Sequence, residues 1–132
     1  MNGFEDTIHP CNFGLGDKDK KLELTLGDDD LGSSSTRKQD IGGEKITIQI
    51  RPLIDVLAEK EIEEIDAMKI DVEGMEDEVL FPFFDKAPEE LHPKIMIIED
   101  NNDLWERNIL EWLLSNGYTT QKITNGNYVL VR

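Results

Sequence analysis

Residues 69–74 read Lys-Ile-Asp-Val-Glu-Gly and close an apolar run, Ile65 to Ile70. Buried charge is costly unless it is paired or used. The run therefore either surfaces here or borders a site. On an extended strand, side chains two apart share a face, so Lys69, Asp71 and Glu73 are expected to project together while Ile70 and Val72 pack. Asp71 then stands at the carboxyl end of a strand, where open α/β sheets bind ligands. A second run, Lys94 to Ile98, ends in Glu99 and Asp100, so two strand ends would bring carboxylates to one rim. Gly74 presents no side chain and lets backbone or ligand approach closely. The competing reading is structural. Lys69 and Asp71 lie about 7 Å apart at the backbone and can close into an ion pair, with the following acids serving a helix N-terminus.

The elements that must position these residues follow from composition and periodicity. The chain has 132 residues, 38% hydrophobic and 33% charged, which fits one domain with a real core. A formal net charge of -15, from 29 acidic against 14 basic residues, argues against nucleic acid and anionic membranes as partners. Cys11 is the only cysteine, which excludes an internal disulfide and a cysteine-based zinc site. Neither a signal-peptide pattern nor a membrane-length apolar run is present, so a soluble cytoplasmic protein is expected. Residues 1–45 are polar and turn-rich, with one alternating strand at 21–27 and loops at 28–36 and 40–44. The acids Asp28–Asp30 lack the spacing of a calcium loop. From residue 46 the pattern is α/β. A strand at 46–50 leads into a helix after Pro52 with Leu53, Ile54, Leu57 and Ile62 as its stripe. Then come the strand 65–70 and a helix over 73–84 with Met75, Val79 and Leu80 inward. A strand at 94–98 reads as central and covered on both faces. A helix over 103–116 carries Trp105, Ile109, Trp112 and Leu113 on one side, with Gly117 as its left-handed cap. An Asn125–Gly126 turn closes an antiparallel hairpin. The fold class expected is α/β, a mostly parallel sheet with an antiparallel C-terminal hairpin.

The stretch IDAMKIDVEGMEDEVL closely resembles the signature of the FkbM-like family of S-adenosylmethionine-dependent methyltransferases. GLGDKDKKLELTL with LGSSS, ITIQIRPLIDVLAE, and KIMIIED with a helix ending Asn-Gly-Tyr resemble further family segments in the same order. The resemblance covers nearly the whole chain and implies part of a Rossmann-like sheet whose full strand order is 3-2-1-4-5-7-6. It also implies S-adenosylmethionine as cofactor and a small-molecule methyl acceptor carrying a hydroxyl, such as a sugar. Asp71 would be the base or acceptor-orienting group. Lys69 would hold its charge or bind the acceptor, and Glu73 would line the rim. Asp17 corresponds to an acidic position near the adenine. No metal is implied.

The chain departs from the family in one respect. Its first two strands and the glycine-rich cofactor turn have no counterpart here, because Gly14 and Gly16 precede a lysine-rich turn and a strand rather than a helix. Without those strands the segment 65–70 is expected to expose an edge, which the N-terminal hairpin, a second copy or a partner strand would cover. Two other readings stay open. A non-catalytic binding fragment would use that edge to recruit a strand. A partial receiver-like domain would use Glu99 and Asp100 as metal acids, but it lacks a later phosphoryl-accepting aspartate and leaves residues 69–74 unexplained.

Overall fold

The structure, a computed structural model, describes residues 3, 7–25 and 45–132. The expected loops at 28–36 and 40–44, with Asp28–Asp30 and the Gly-Ser-Ser segment, lie outside the described residues. Three N-terminal strands, β1 (Gly14–Gly16), β2 (Lys20–Thr25) and β3 (Lys45–Pro52), form a sheet in the order β1-β3-β2. Then follow α1 (Leu53–Glu59), β4 (Ala67–Ile70), α2 (Glu76–Lys86), a short 3-10 turn at Glu89–Leu91, and β5 (Ile95–Glu99). The chain continues with α3 (Ile109–Ser115), β6 (Thr119–Thr124) and β7 (Asn127–Val131). The second sheet runs β4-β5-β7-β6.

The α/β class is as expected, but the described strands make two sheets; in the second, β4, β5 and β6 run one way and β7 of the C-terminal hairpin runs against them. β1 with β3 and β4 with β5 are parallel; the other three pairings are antiparallel. The hairpin explains part of this. Asn125 and Gly126 take φ of +46° and +80°, the left-handed pair that a two-residue hairpin turn needs. The hairpin then docks through β7, which runs against β5. The N-terminal strands add nothing to the edge of β4. They pair among themselves and touch α1 and α2 instead.

One face of the second sheet carries the core. Ile70, Met96, Ile98 and Leu130 meet Val79, Leu80, Phe83 and Phe84 of α2 and Ile109 and Leu113 of α3. Burying such side chains is worth about 1.5–3 kcal/mol each. The other face is open: Ile95 is 40% exposed and Ile97 half-buried, so β5 is covered on one side only, contrary to the sequence pattern. Both helices packed on this sheet lie on the same face. In α1 the stripe stops short. The helix ends at Glu59, Glu61 turns left-handed at φ +55°, and Ile62 is exposed.

The helix expected over 103–116 begins only at Ile109. Asn108 caps it, its Oδ1 accepting from Glu111 N at 2.9 Å, the interaction that favours asparagine at such a position. Trp105 therefore sits in the preceding loop, off the face of Trp112. Trp112 packs against Phe84 with ring centroids 4.6 Å apart. Gly117, at φ +95°, ends α3 as expected. Among the described residues no helix is long and apolar enough to cross a membrane.

Candidate functional site at the strand exits

β4 ends at Ile70, and its exit is polar. Lys69 Nζ donates to Asp71 Oδ2 at 2.6 Å, and both side chains are about half exposed, at 57% and 46%. The pair expected from spacing thus forms, at the surface. Glu73 does not join it by strand alternation. Its φ of +54°, followed by +89° at Gly74, turns the backbone out of the extended path. An Lβ-carbon disfavours that conformation by about 1–2 kcal/mol, so something must hold the turn.

The holder is Glu76, the first residue of α2, which is fully buried. Its Oε1 accepts from Val72 N at 3.0 Å and Gly74 N at 3.3 Å. The same oxygen takes Asn101 Nδ2 at 3.3 Å, while Oε2 takes Trp105 Nε1 at 2.7 Å. A carboxylate has about four acceptor directions, two on each oxygen; here three donors share Oε1 and one takes Oε2. Asp77, 4% exposed, accepts from Glu106 N at 2.9 Å and Arg107 N at 3.2 Å on Oδ2. Sequence reasoning placed both acids in the first turn as partners of the helix dipole. Their burial depends on the loop after β5 folding over them, which no local pattern reveals. The clue available was Trp105, whose indole N–H needs an acceptor when buried.

The space beside Gly74 is taken by this chain. A β-carbon there would lie 2.5 Å from Leu104 Cδ1 and 2.9 Å from Leu104 Cβ. β4 and β5 run parallel, with Ile70 opposite Ile98, so Asp71 and Glu99 each follow the last registered pair by one residue. Glu99 Oε2 accepts from Asn101 Nδ2 at 3.2 Å. Asp100 N donates to Gly126 O at 2.8 Å, and Asp100 Oδ1 accepts from Asn102 N at 3.3 Å. The two strand exits do adjoin, as expected.

Asp17 lies elsewhere. It follows β1, accepts from Lys20 Nζ at 2.7 Å and has Lys18 Nζ at 3.9 Å. The hydrogen bond from Lys20 holds its carboxyl below the usual range. None of its hydrogen bonds or ion pairs reaches residues 69–74. Gly14 and Gly16 are strand residues: a β-carbon on either would lie 2.6 or 2.7 Å from Ile50, the former from Cδ1 and the latter from Cγ2. They let β1 lie against that side chain. Among the described residues no three histidines, cysteines or carboxylates are grouped to hold a metal ion.

Comparison with known proteins gives one result that bears on this geometry. Searches among curated proteins and among solved structures each find no match. The family model described as the methyltransferase FkbM domain matches residues 2–120, a span that contains both strand exits, the Glu76 cluster and the N-terminal sheet. The chain belongs to the FkbM methyltransferase domain family.

Proposed function

We propose that these residues form the acceptor side of an S-adenosylmethionine-dependent methyltransferase acting on a hydroxyl of a small molecule or sugar in the cytoplasm. Family membership supports methyl transfer in general. The order β4-β5-β7-β6 coincides with the second half of the family's Rossmann-like strand order, which supports reading the second sheet as that half. The observation that carries the proposal is Asp71. It stands at the exit of one of two adjoining parallel strands, solvent-accessible, charge-compensated by Lys69, on a turn fixed from beneath.

Asp71 accepts the proton of the acceptor hydroxyl or orients it, a role for which a positioned carboxylate within hydrogen-bond reach is suited. Lys69 holds the Asp71 charge or binds the acceptor, and Glu73 lines the rim. The cofactor, when bound, supplies the electrophilic methyl group. Among the described residues, Gly14, Gly16 and Gly74 do not build its cradle. Gly14 and Gly16 are filled by Ile50, and Gly74 by Leu104. Asp17, the adenine-side candidate, is engaged by Lys20. The assignment to these residues is therefore the acceptor side alone.

Two measurements test this. The 132-residue chain, titrated calorimetrically with S-adenosylmethionine and its demethylated product, should give no saturable heat at millimolar ligand. Micromolar binding would show the glycine argument to be wrong. In a protein that joins these residues to a cofactor-binding glycine turn, labelled methyl should pass to a hydroxyl compound, and Asp71→Asn should abolish transfer with cofactor binding intact. Unchanged transfer sinks the role of Asp71. Absence of transfer from every hydroxyl acceptor favours the second reading, a non-catalytic binding unit. That reading is supported by the edge of β4, which pairs with no strand among the described residues and could accept a partner strand or a second copy.

A further inference from the structure

The rim of exposed carboxylates rests on a buried one, and that buried one touches two loops at once. Val72 and Gly74 belong to the turn after β4. Asn101 and Trp105 belong to the loop after β5. All four donate to Glu76, three to Oε1 and one to Oε2. Asp77 holds the same loop through Glu106 N and Arg107 N, and Leu104 of that loop fills the space beside Gly74. The turn itself includes a non-glycine left-handed residue, Glu73, a conformation that persists when its surroundings over-determine it. We propose that Glu76 is a positioning residue, transmitting the placement of the loop after β5 to the turn that carries Asp71. Its functional consequence rests on the methyltransferase reading; the coupling itself does not.

The chemistry of the site makes the coupling specific. A carboxylate serves four donors, whereas a glutamine amide offers one acceptor oxygen and two donors of its own. In Glu76→Gln the oxygen best replaces Oε1, where three donors converge. The amide nitrogen then faces the indole N–H of Trp105, donor against donor. The conflict arises on the loop side, although the bonds to Val72 and Gly74 are formally kept. If the loop positions the turn, the turn should loosen as well. Trp105→Phe keeps a ring in place and removes the opposing N–H, so it should relieve the conflict.

The experiment is amide hydrogen exchange by NMR on the full 132-residue chain. In Glu76→Gln the amides of Val72 and Gly74 should exchange on the order of tenfold faster, beyond whatever acceleration the core amide of Leu130 in β7 shows through global destabilisation. In Glu76→Gln/Trp105→Phe both turn amides should slow from the Glu76→Gln rate to about that of Trp105→Phe alone. Unchanged turn amides in the single variant, or no recovery in the double, overturn the coupling. Should Glu76→Gln fail to fold, Trp105→Phe alone decides, with faster exchange at both turn amides expected and unchanged exchange overturning the proposal. In a protein that joins these residues to a cofactor-binding glycine turn, Glu76→Gln should lower kcat on the order of tenfold or more with cofactor Kd unchanged. A variant with unaltered kcat removes the positioning role while leaving the methyltransferase reading intact. A parent protein that never transfers methyl removes that reading, and the exchange rates still decide the coupling.

Discussion

Gly74→Ala probes the junction on which the site depends. Gly74 has φ +89°, where a side chain is disfavoured by about 1–2 kcal/mol. The new methyl would also lie 2.5 Å from Leu104 Cδ1 and 2.9 Å from Leu104 Cβ. The first contact can be relieved by rotating an end group. The second cannot, because Cβ moves only with the loop backbone, which Glu76 and Asp77 hold. Overpacking of this kind costs about 1–3 kcal/mol, so the sum is about 2–5 kcal/mol. A domain of this size has roughly 5–15 kcal/mol of stability in all. Urea unfolding followed by circular dichroism should show the loss as a lower midpoint at unchanged slope, with Tm falling on the order of 10 °C. Leu104→Ala in the same background should recover the share due to Cδ1, giving a non-additive cycle of about 1 kcal/mol. A loss below about 0.5 kcal/mol, or an additive cycle, would refute the packing argument.

Two further outcomes follow from the same geometry. Tyr118 is buried, its hydroxyl donates to Pro93 O at 2.7 Å, and burial pushes its ionisation up to about 12. Because the raised value favours the protonated phenol in the folded state, that contribution is whole below the unfolded value near 10 and is lost as pH climbs toward about 12. Tyr118→Phe should therefore cost about 1–2 kcal/mol at neutral pH by urea unfolding and flatten the alkaline fall; an unchanged alkaline limb counts against it. Asp71→Asn, by contrast, breaks an exposed pair and should change stability by about 0–1 kcal/mol. A larger loss would make Asp71 a structural residue.

Much of the fold was legible because its signals are local. The apolar run 94–98 became β5, the Asn125–Gly126 pair became the hairpin turn, and the alternation at 46–50 became β3. The motif at 69–74 did sit at a strand exit, and Lys69 did pair with Asp71. The failures share one physical cause, dependence on another segment. Trp105 had helical spacing with Ile109 and Trp112, yet the cap at Asn108 and the acceptor at Glu76 drew it into a loop. Glu73 looked like a strand residue until the turn over Glu76 reversed its backbone. Ile95 and Ile97 looked buried on both faces because an apolar run cannot say how many layers cover it. That two sheets form rather than one depends on which edges meet, and side-chain period does not encode that.

The carboxylates at this exit divide sharply by environment. Asp71 and Glu73 face water, whereas Glu76 and Asp77, a few residues on, are buried. Water is available to solvate the first pair, so their charge adds little to stability and nothing in the packing requires an acid there. The second pair is held by donors that would be left unsatisfied if either acid were removed. Replacing Glu76 with an apolar residue would orphan two backbone amides and an indole, each at about 1–3 kcal/mol where burial keeps water out, and would leave the Asn101 amide with Glu99 as its remaining acceptor. A structural requirement thus accounts for Glu76, and for the Oδ2 of Asp77, whose Oδ1 is buried with no hydrogen-bond partner among the described residues, without invoking catalysis. It does not account for Asp71 at the exit of a strand beside another that ends in acids. Because stability and candidate chemistry reside on different carboxylates, a substitution at Asp71 interrogates the reaction, and one at Glu76 interrogates the geometry beneath it.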